Sequence, residues 1–543
     1  MLFRRLLTTK VGYHTPNYKN RRLILSVLKS TATRREAKDY LTKYGDPAVA
    51  HHCVLYLRGI RKFSAGLIND FAIMLGRLRL LGIRPLVVLS PSAHVISESE
   101  TLHETFYKNG LHSVPISEPL ASGIHEIILQ HETSYGSIIP IIMPFLYRQQ
   151  HAERMLAGDE VAFMRDLIAC MPYKIDKFFI INHYGGIPST ERHDNSHVFV
   201  NLSQEYSSLV EVLKQQISDC KHDAMEEGLP TAGIATGRSQ KEFEYAALTG
   251  SLTDLELMSA VLSLLSPSST GLITSMHSAV TNSRYNPLLY NVLTDRSLVS
   301  SSLPSFKRDP ISDRAWYELP ACSAKIGTQR TNPIFSTTVL KQGVNIKYFD
   351  YRTLTKENSD GFHELLPAAG STPLPAHKRV NLTKLKRIVD RSFDRNLDMN
   401  HYLRRINGKI ASIIVIGDYE GIAILTHEGP KERPFAYLDK FAVLPHLRGS
   451  LCISDVIFNL MFKKFGDELV WRSRRENVVN NWYFQRSIGV LDLSIDIGDG
   501  FKKDNIFKLF YYGDKEGARL YDFDRLREYI TYVRDIEPSW SQE

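Results

Sequence analysis

The sequence predicts an α/β protein of two layered domains, a larger one on a mostly parallel sheet and then a compact α+β domain. Three observations carry this. At 543 residues the chain is too long for one hydrophobic core, since domains run to ~100–200 residues. Strand-like and helix-like runs alternate in its first half, the order that gives parallel β-α-β units. A polar Gly/Pro/Ser-rich stretch, residues 356–377, including Pro367, Gly370, Ser371, Pro373 and Pro375, then reads as a linker.

Element by element, a short charged helix is expected from Glu36 to Gly45. Cys53–Leu57 is apolar throughout and reads as a buried strand. Phe71, Ile73, Met74, Leu75, Leu78, Leu80 and Leu81 recur at roughly helical spacing up to Gly82, and Pro85–Leu89 returns to strand character. Further strands are expected at Lys177–Ile181 and Thr270–Ile273. After the linker, a helix over Leu382–Phe393 leads into strands at Ile410–Ile416, Gly421–Leu425 and Tyr437–Val443. A helix starting near Ser450 and a strand at Glu468–Arg472 complete the second domain.

The formal charge of +8 does not describe a basic folded surface. Nine of the 67 basic side chains lie in the first 35 residues, ahead of the first acid, Glu36, so the body is nearly neutral against 59 acidic residues. That argues against nucleic acid as a partner. An acid-free leader with Arg4, Arg5, Arg21 and Arg22 among short apolar clusters has the composition of a mitochondrial presequence, placing residues 1–35 as a targeting segment and the protein in the mitochondrial matrix. The alternative is a plain basic tail. No apolar run approaches the ~18–20 residues that span a bilayer, so no membrane is expected as a partner. The five cysteines are scattered without a C-x-x-C pair, which suggests neither disulfides nor a metal site.

Two blocks carry chemistry. The first is the strand ending Leu438-Asp439-Lys440-Phe441, followed by Leu444, Arg448, Gly449 and Ser450 and then an apolar helix. A strand and turn that deliver a helix N-terminus present free N–H groups to an anion, here a pyrophosphate; taken alone, the segment is more simply an ordinary turn with Ser450 as N-cap. The second is Trp471-Arg472-Ser473-Arg474 with Asn477 and Trp482-Tyr483-Phe484. On a strand Arg472 and Arg474 share one face, where both guanidinium forks can converge on one small dianion.

Together these blocks, with Asn381–Lys386 and Asp390–Phe393, resemble the N-acetylglutamate synthases of the vertebrate and fungal type, whose C-terminal domain belongs to the GNAT acetyltransferase superfamily. The resemblance implies acetyl transfer from acetyl-CoA to the α-amine of L-glutamate, the first step of arginine biosynthesis, without a metal. It implies Lys440, Arg472, Arg474 and Asn477 as substrate-binding residues and Tyr483 near the thioester sulfur, where it is the candidate for protonating the departing thiolate; packing beside Trp482 and Phe484 is the other reading of Tyr483. Leu444, Arg448, Gly449 and Ser450 are implied for CoA. One departure stands out: Leu451 and Ile453 occupy the places where the superfamily's pyrophosphate loop has small residues.

The first domain resembles the amino-acid-kinase fold of acetylglutamate kinase, through Tyr56–Gly59, Leu86–Ser92, Asn201–Tyr206, Asn286–Asp295 and Val339–Val344. Where such a kinase needs a lysine and paired glycines it has Leu57-Arg58-Gly59-Ile60, and Leu89-Ser90-Pro91-Ser92 replaces the second glycine turn, so phosphoryl transfer is not expected. In the family this domain carries subunit contacts and the arginine site, so a homo-oligomer inhibited by L-arginine is implied. The expected division is residues 1–35 presequence, 36–355 kinase-like regulatory domain, 356–377 linker and 378–543 N-acetyltransferase domain. The rival reading is a non-catalytic arginine-sensing subunit that binds acetylglutamate kinase.

Overall fold

The structure is a computed structural model. It describes residues 51–117, 120, 138–148, 153–171, 173–189, 196–226, 235–281, 286–303, 336–350, 380–406, 408–447, 453–500, 505–513 and 522–541. The expected presequence, the helix at Glu36 and the linker 356–377 lie outside these residues.

The first sheet has eight strands: β1 (His51–Leu57), β2 (Ile83–Leu89), β3 (Ser113–Ile116), β4 (Ile139–Ile142), β7 (Ile175–Asn182), β8 (Phe199–Asn201), β9 (Thr270–Ser275) and β10 (Thr337–Lys341), in the order β3-β4-β2-β1-β7-β9-β10-β8. A separate antiparallel ribbon joins β5 (Phe145–Arg148) and β6 (Glu153–Leu156). β3, β4, β2, β1, β7 and β9 are mutually parallel, and β10 is antiparallel to β9. Every residue of β1 and β7 is buried, the signature of central parallel strands covered on both faces. The helix Ala65–Leu80 makes the crossover from β1 to β2. Ser64 caps it by accepting from the Leu67 N–H, and its Phe71, Met74, Leu75 and Leu78 are buried.

The second sheet contains β11 (Ile346–Asp350), β12 (Ile410–Ile416), β13 (Gly421–Glu428), β14 (Phe435–Val443), β15 (Leu469–Arg474), β16 (Gly489–Asp492) and β17 (Phe507–Tyr512), in the order β11-β12-β13-β14-β15-β17-β16. Pairing is antiparallel except between β14 and β15. Both faces are covered. Ile414, Ile416, Ala423 and Leu425 pack with the helix Ile453–Lys464, whereas Ile413, Val415, Ile422 and Ile424 pack with the helices Leu382–Phe393 and Met399–Ile406. This explains why β12 and β13 are apolar without alternation. At Gly421 the helix Ile453–Lys464 comes so close that an added Cβ would lie 2.5 Å from Ile453 Cγ2, so no larger residue fits without displacing that helix.

The second sheet recruits a strand from before the expected linker. β11 pairs along its whole length with β12, so residues 346–350 belong to the second sheet although they precede the linker. Over the described residues, one compact unit comprises Met1–His197, Leu213–Leu298 and Thr331–Leu340, and the other Val198–Val212, Val299–Arg330 and Lys341–Glu543. The linker composition marks a connection, but a strand can be recruited from before it, and nothing in the sequence of β11 distinguishes the two sheets.

His52, in β1, stacks on Tyr173 at 3.7 Å. Burial, reinforced by the Arg84 cation, pushes its pKa down to about 4. The unfolded chain therefore takes up a proton near pH 6.5 that the fold resists until about pH 4, so stability is full above 6.5 and falls across that window, by on the order of 2–3 kcal/mol. His52→Phe, which keeps the stack, is expected to remove this share of the pH dependence. His183, pushed to about 4 by burial and by Lys62, keeps its own. Thermal unfolding at pH 7 and pH 5 checks this, and an unchanged difference between the two midpoints would contradict it.

Candidate active site

In β14 the register against β13 shifts: Lys440 faces Ile424 and Leu438 faces Leu425, leaving Asp439 without a partner. This is a one-residue bulge. In a regular strand neighbouring side chains point to opposite faces, whereas a bulge turns two consecutive ones the same way. Asp439 and Lys440 accordingly share a face and pair at 2.9 Å. Arg405 completes an ion pair with the same carboxylate, and the Tyr402 hydroxyl donates to it at 2.8 Å. The Lys440 ammonium also lies over the rings of Tyr402, at 4.7 Å, and Trp540, at 5.7 Å. Burial alone would raise the Asp439 carboxyl, but the Lys440 and Arg405 cations outweigh it and hold Asp439 well below the usual carboxylate range. Burial lowers the Lys440 ammonium, with Asp439 opposing.

Past the bulge β14 and β15 part. Their parallel pairing covers only Ala436 to Leu438 against Leu469 to Trp471, while β14 continues to Val443 and β15 to Arg474. Tyr483, on the helix Asn480–Arg486, packs against Trp471, the last residue of β15 paired to β14, and against Phe458 and Phe510. Its hydroxyl has no hydrogen-bond partner among the described residues, and burial pushes its pKa well up, so it stays protonated at neutral pH. Asn477 shapes the turn that leads into this helix. Its Nδ2 donates to Ser473 Oγ at 2.8 Å and its Oδ1 accepts from the Val479 N–H.

The two arginines of β15 do not converge. Arg472 donates from Nη1 to Val533 O at 2.8 Å and from Nη2 to Ile536 O at 2.7 Å, and its guanidinium lies over Phe507. It thus satisfies carbonyls at the C-terminus of the helix Phe523–Arg534, where a cation is also favoured by the helix dipole. Arg474 is exposed and has no hydrogen-bond or ion-pair partner among the described residues. Desolvation and the neighbouring Arg395 cation lower its pKa, with the Glu476 carboxylate opposing. Arg395, Tyr402, Arg405 and Asp439 are the residues that sequence reasoning missed. The signal for the last three was an acidic residue inside an otherwise apolar strand, with Tyr402 and Arg405 one helical turn apart. Leu444 is half-buried, and its backbone closes the turn after β14, donating to Glu420 O at 3.0 Å and accepting from the Leu447 N–H at 2.9 Å. Arg448, Gly449 and Ser450 lie outside the described residues. Among the described residues no cluster of His, Cys, Asp or Glu could hold a metal, and no helix is long and apolar enough to cross a membrane.

A mixed sheet whose parallel strands diverge after a bulge, with an aromatic helix beside the gap, defines an N-acetyltransferase domain of the GNAT class. Residues 371–536 match the family described as NAT, the N-acetyltransferase of N-acetylglutamate synthase. The chain is 84% identical to the mitochondrial amino-acid acetyltransferase of Eremothecium gossypii over 100% of both chains. It is 47% identical to that of Kluyveromyces lactis over 99% of each, and 45% identical to that of Saccharomyces cerevisiae over 100% of this chain and 99% of the other. A solved N-acetylglutamate synthase from Neisseria gonorrhoeae, complexed with coenzyme A and L-arginine, is 12% identical and aligns over 89% of this chain and 99% of its own with a TM-score of 0.35. The chain belongs to the fungal mitochondrial amino-acid acetyltransferases, with its N-acetyltransferase domain in the C-terminal part.

Asp439→Asn would leave the buried Lys440 without its carboxylate and Arg405 with only Glu428, at 3.6 Å, at an expected cost of about 3–5 kcal/mol. Urea denaturation reads this as a lowered midpoint with an unchanged slope, and a loss below about 1 kcal/mol would contradict the role given to this pair.

Proposed function

We propose that the chain acetylates the α-amine of L-glutamate from acetyl-CoA in the mitochondrial matrix, as the first step of arginine biosynthesis. The observation that carries this is the pair of cations at the end of β15. Arg474 is exposed, and Arg395 is close enough to perturb it electrostatically. Glu476 offsets part of their repulsion, and the carboxylates of a substrate with two of them would offset the rest. Lys440 adds positive charge at the base of the cleft, although Asp439 already holds its ammonium. Arg472 supports the site from behind by fixing the C-terminal helix, and Asn477 by fixing the turn that carries Tyr483.

The chemistry follows from the gap between β14 and β15. Backbone freed where two strands part can pair with an extended amide-bearing chain, which is the nature of the pantetheine arm of acetyl-CoA. The neutral amine attacks the thioester carbonyl carbon, the C–S bond breaks, and the departing thiolate takes a proton from the Tyr483 hydroxyl while the amine releases one to water. Leu444, Arg448, Gly449 and Ser450 are the residues proposed to meet the pyrophosphate end. The first domain is proposed to sense L-arginine and to support a homo-oligomer. Its expected phosphate corner supports an inactive kinase: Arg58 is tied to Asp254 at 2.7 Å and Glu160 at 3.0 Å rather than left for a nucleotide.

Arg474→Ala removes one charge-assisted hydrogen bond, worth ~1.5–3 kcal/mol, so kcat/KM for glutamate is expected to fall roughly 10- to 150-fold with little change in KM for acetyl-CoA. Steady-state kinetics with each substrate varied in turn checks it. An equal loss for acetyl-CoA, or unchanged glutamate kinetics, sinks the assignment of Arg474 to the amino-acid pocket.

A further inference from the structure

The helix that carries Tyr483 ends in a buried cation that the proposed chemistry does not use. Arg486 is 1% exposed, and its guanidinium lies 3.6 Å over the Trp482 ring. It donates from Nε to Ser302 Oγ at 2.7 Å, from Nη1 to Trp482 O at 3.1 Å, and from Nη2 to Ser300 Oγ at 2.7 Å and Asp455 Oδ1 at 2.9 Å. Both serine hydroxyls in turn donate to Asp455 Oδ1, at 2.8 Å from Ser300 and 2.5 Å from Ser302. Each hydroxyl has one proton and two lone pairs, so accepting from Arg486 while donating to Asp455 is a consistent assignment for both.

Three separate pieces of chain meet here. Asp455 lies in the first turn of the helix Ile453–Lys464, where a carboxylate is also favoured by the helix dipole. Ser300 and Ser302 come from a segment more than 150 residues earlier in sequence, and Arg486 closes the helix Asn480–Arg486. That helix has only seven residues and no side-chain cap at its start. Its own hydrogen bonds cannot hold Tyr483 in one place, because so short a helix is marginal without tertiary support.

We propose that Arg486 is a positioning residue: clamped by Asp455, Ser300 and Ser302, it sets where the Tyr483 hydroxyl stands in the cleft. This rests on the reading of Tyr483 as the proton donor to the departing thiolate. The ring contacts of Tyr483 with Trp471, Phe458 and Phe510 restrain it laterally, and the clamp fixes it along the helix axis.

The test is a double-mutant cycle on the full chain, read by thiol release under saturating substrates. Arg486→Gln is expected to lower kcat by about 10- to 100-fold, the scale of a displacement near 1 Å, with both KM values within about threefold. Arg486→Lys should recover part of the loss. In a Tyr483→Phe background Arg486→Gln should have little further effect, because the group it positions is gone. If Arg486→Gln does not yield folded protein, the Ser300→Ala/Ser302→Ala variant enters the same cycle with the same expectation. An unchanged kcat, or a loss that is fully additive with Tyr483→Phe, overturns the proposal. A Tyr483→Phe enzyme with normal kcat instead overturns the reading of Tyr483, and a loss on Arg486→Gln would then have a cause other than this one.

Discussion

A single extra residue in β14 governs the transferase domain. The bulge at Asp439 turns Asp439 and Lys440 to one face, where an acid and a base that would point apart in a regular strand can pair at 2.9 Å. The same irregularity marks where β14 leaves β15. The carboxylate must then be held in an apolar layer, which takes Arg405, Lys440 and the Tyr402 hydroxyl together. Burying a carboxylate with fewer partners would be strongly unfavourable.

The surrounding elements keep this irregular region in place. The helix Ile453–Lys464 packs tightly over Gly421 on one face, and the helix Met399–Ile406 supplies Tyr402 and Arg405 on the other. At the far edge the helix Phe523–Arg534 is joined to β15 by Arg472 and by Arg525, which donates to both oxygens of Glu468 at 2.7 and 2.8 Å. Such planar two-point contacts restrict orientation as well as distance. The exposed Arg474 is the exception in a region where most cations are already paired.

Much of this was legible in the sequence. Continuous apolar runs gave β1, β7 and β12, since strands covered on both faces need no polar positions, and the Trp471–Arg474 and Trp482–Phe484 segments led to the catalytic domain. The convergence of Arg472 and Arg474 was not as expected. Strand alternation puts the two on one face, but the carbonyls that capture Arg472 come from a helix some 60 residues later, and no local pattern announces them. Arg395 was missed for the same reason, because its proximity to Arg474 is tertiary. The bulge was hidden because period-2 reasoning assumes an unbroken register. The pairing of β11 with β12 across the expected linker could not be read either, because pairing partners are not written in composition.

The central claim is that the cleft beside β14 and β15 recognises an amino acid by a second carboxylate. The most direct measurement is the rate of thiol release from acetyl-CoA by the purified full-length protein with L-glutamate and, separately, with L-glutamine. The two differ by one charge at nearly constant shape. The account predicts rapid release with glutamate and a rate lower by at least about tenfold with glutamine, the loss of one charge-assisted contact. Equal rates with the two, or no release with glutamate, would contradict it.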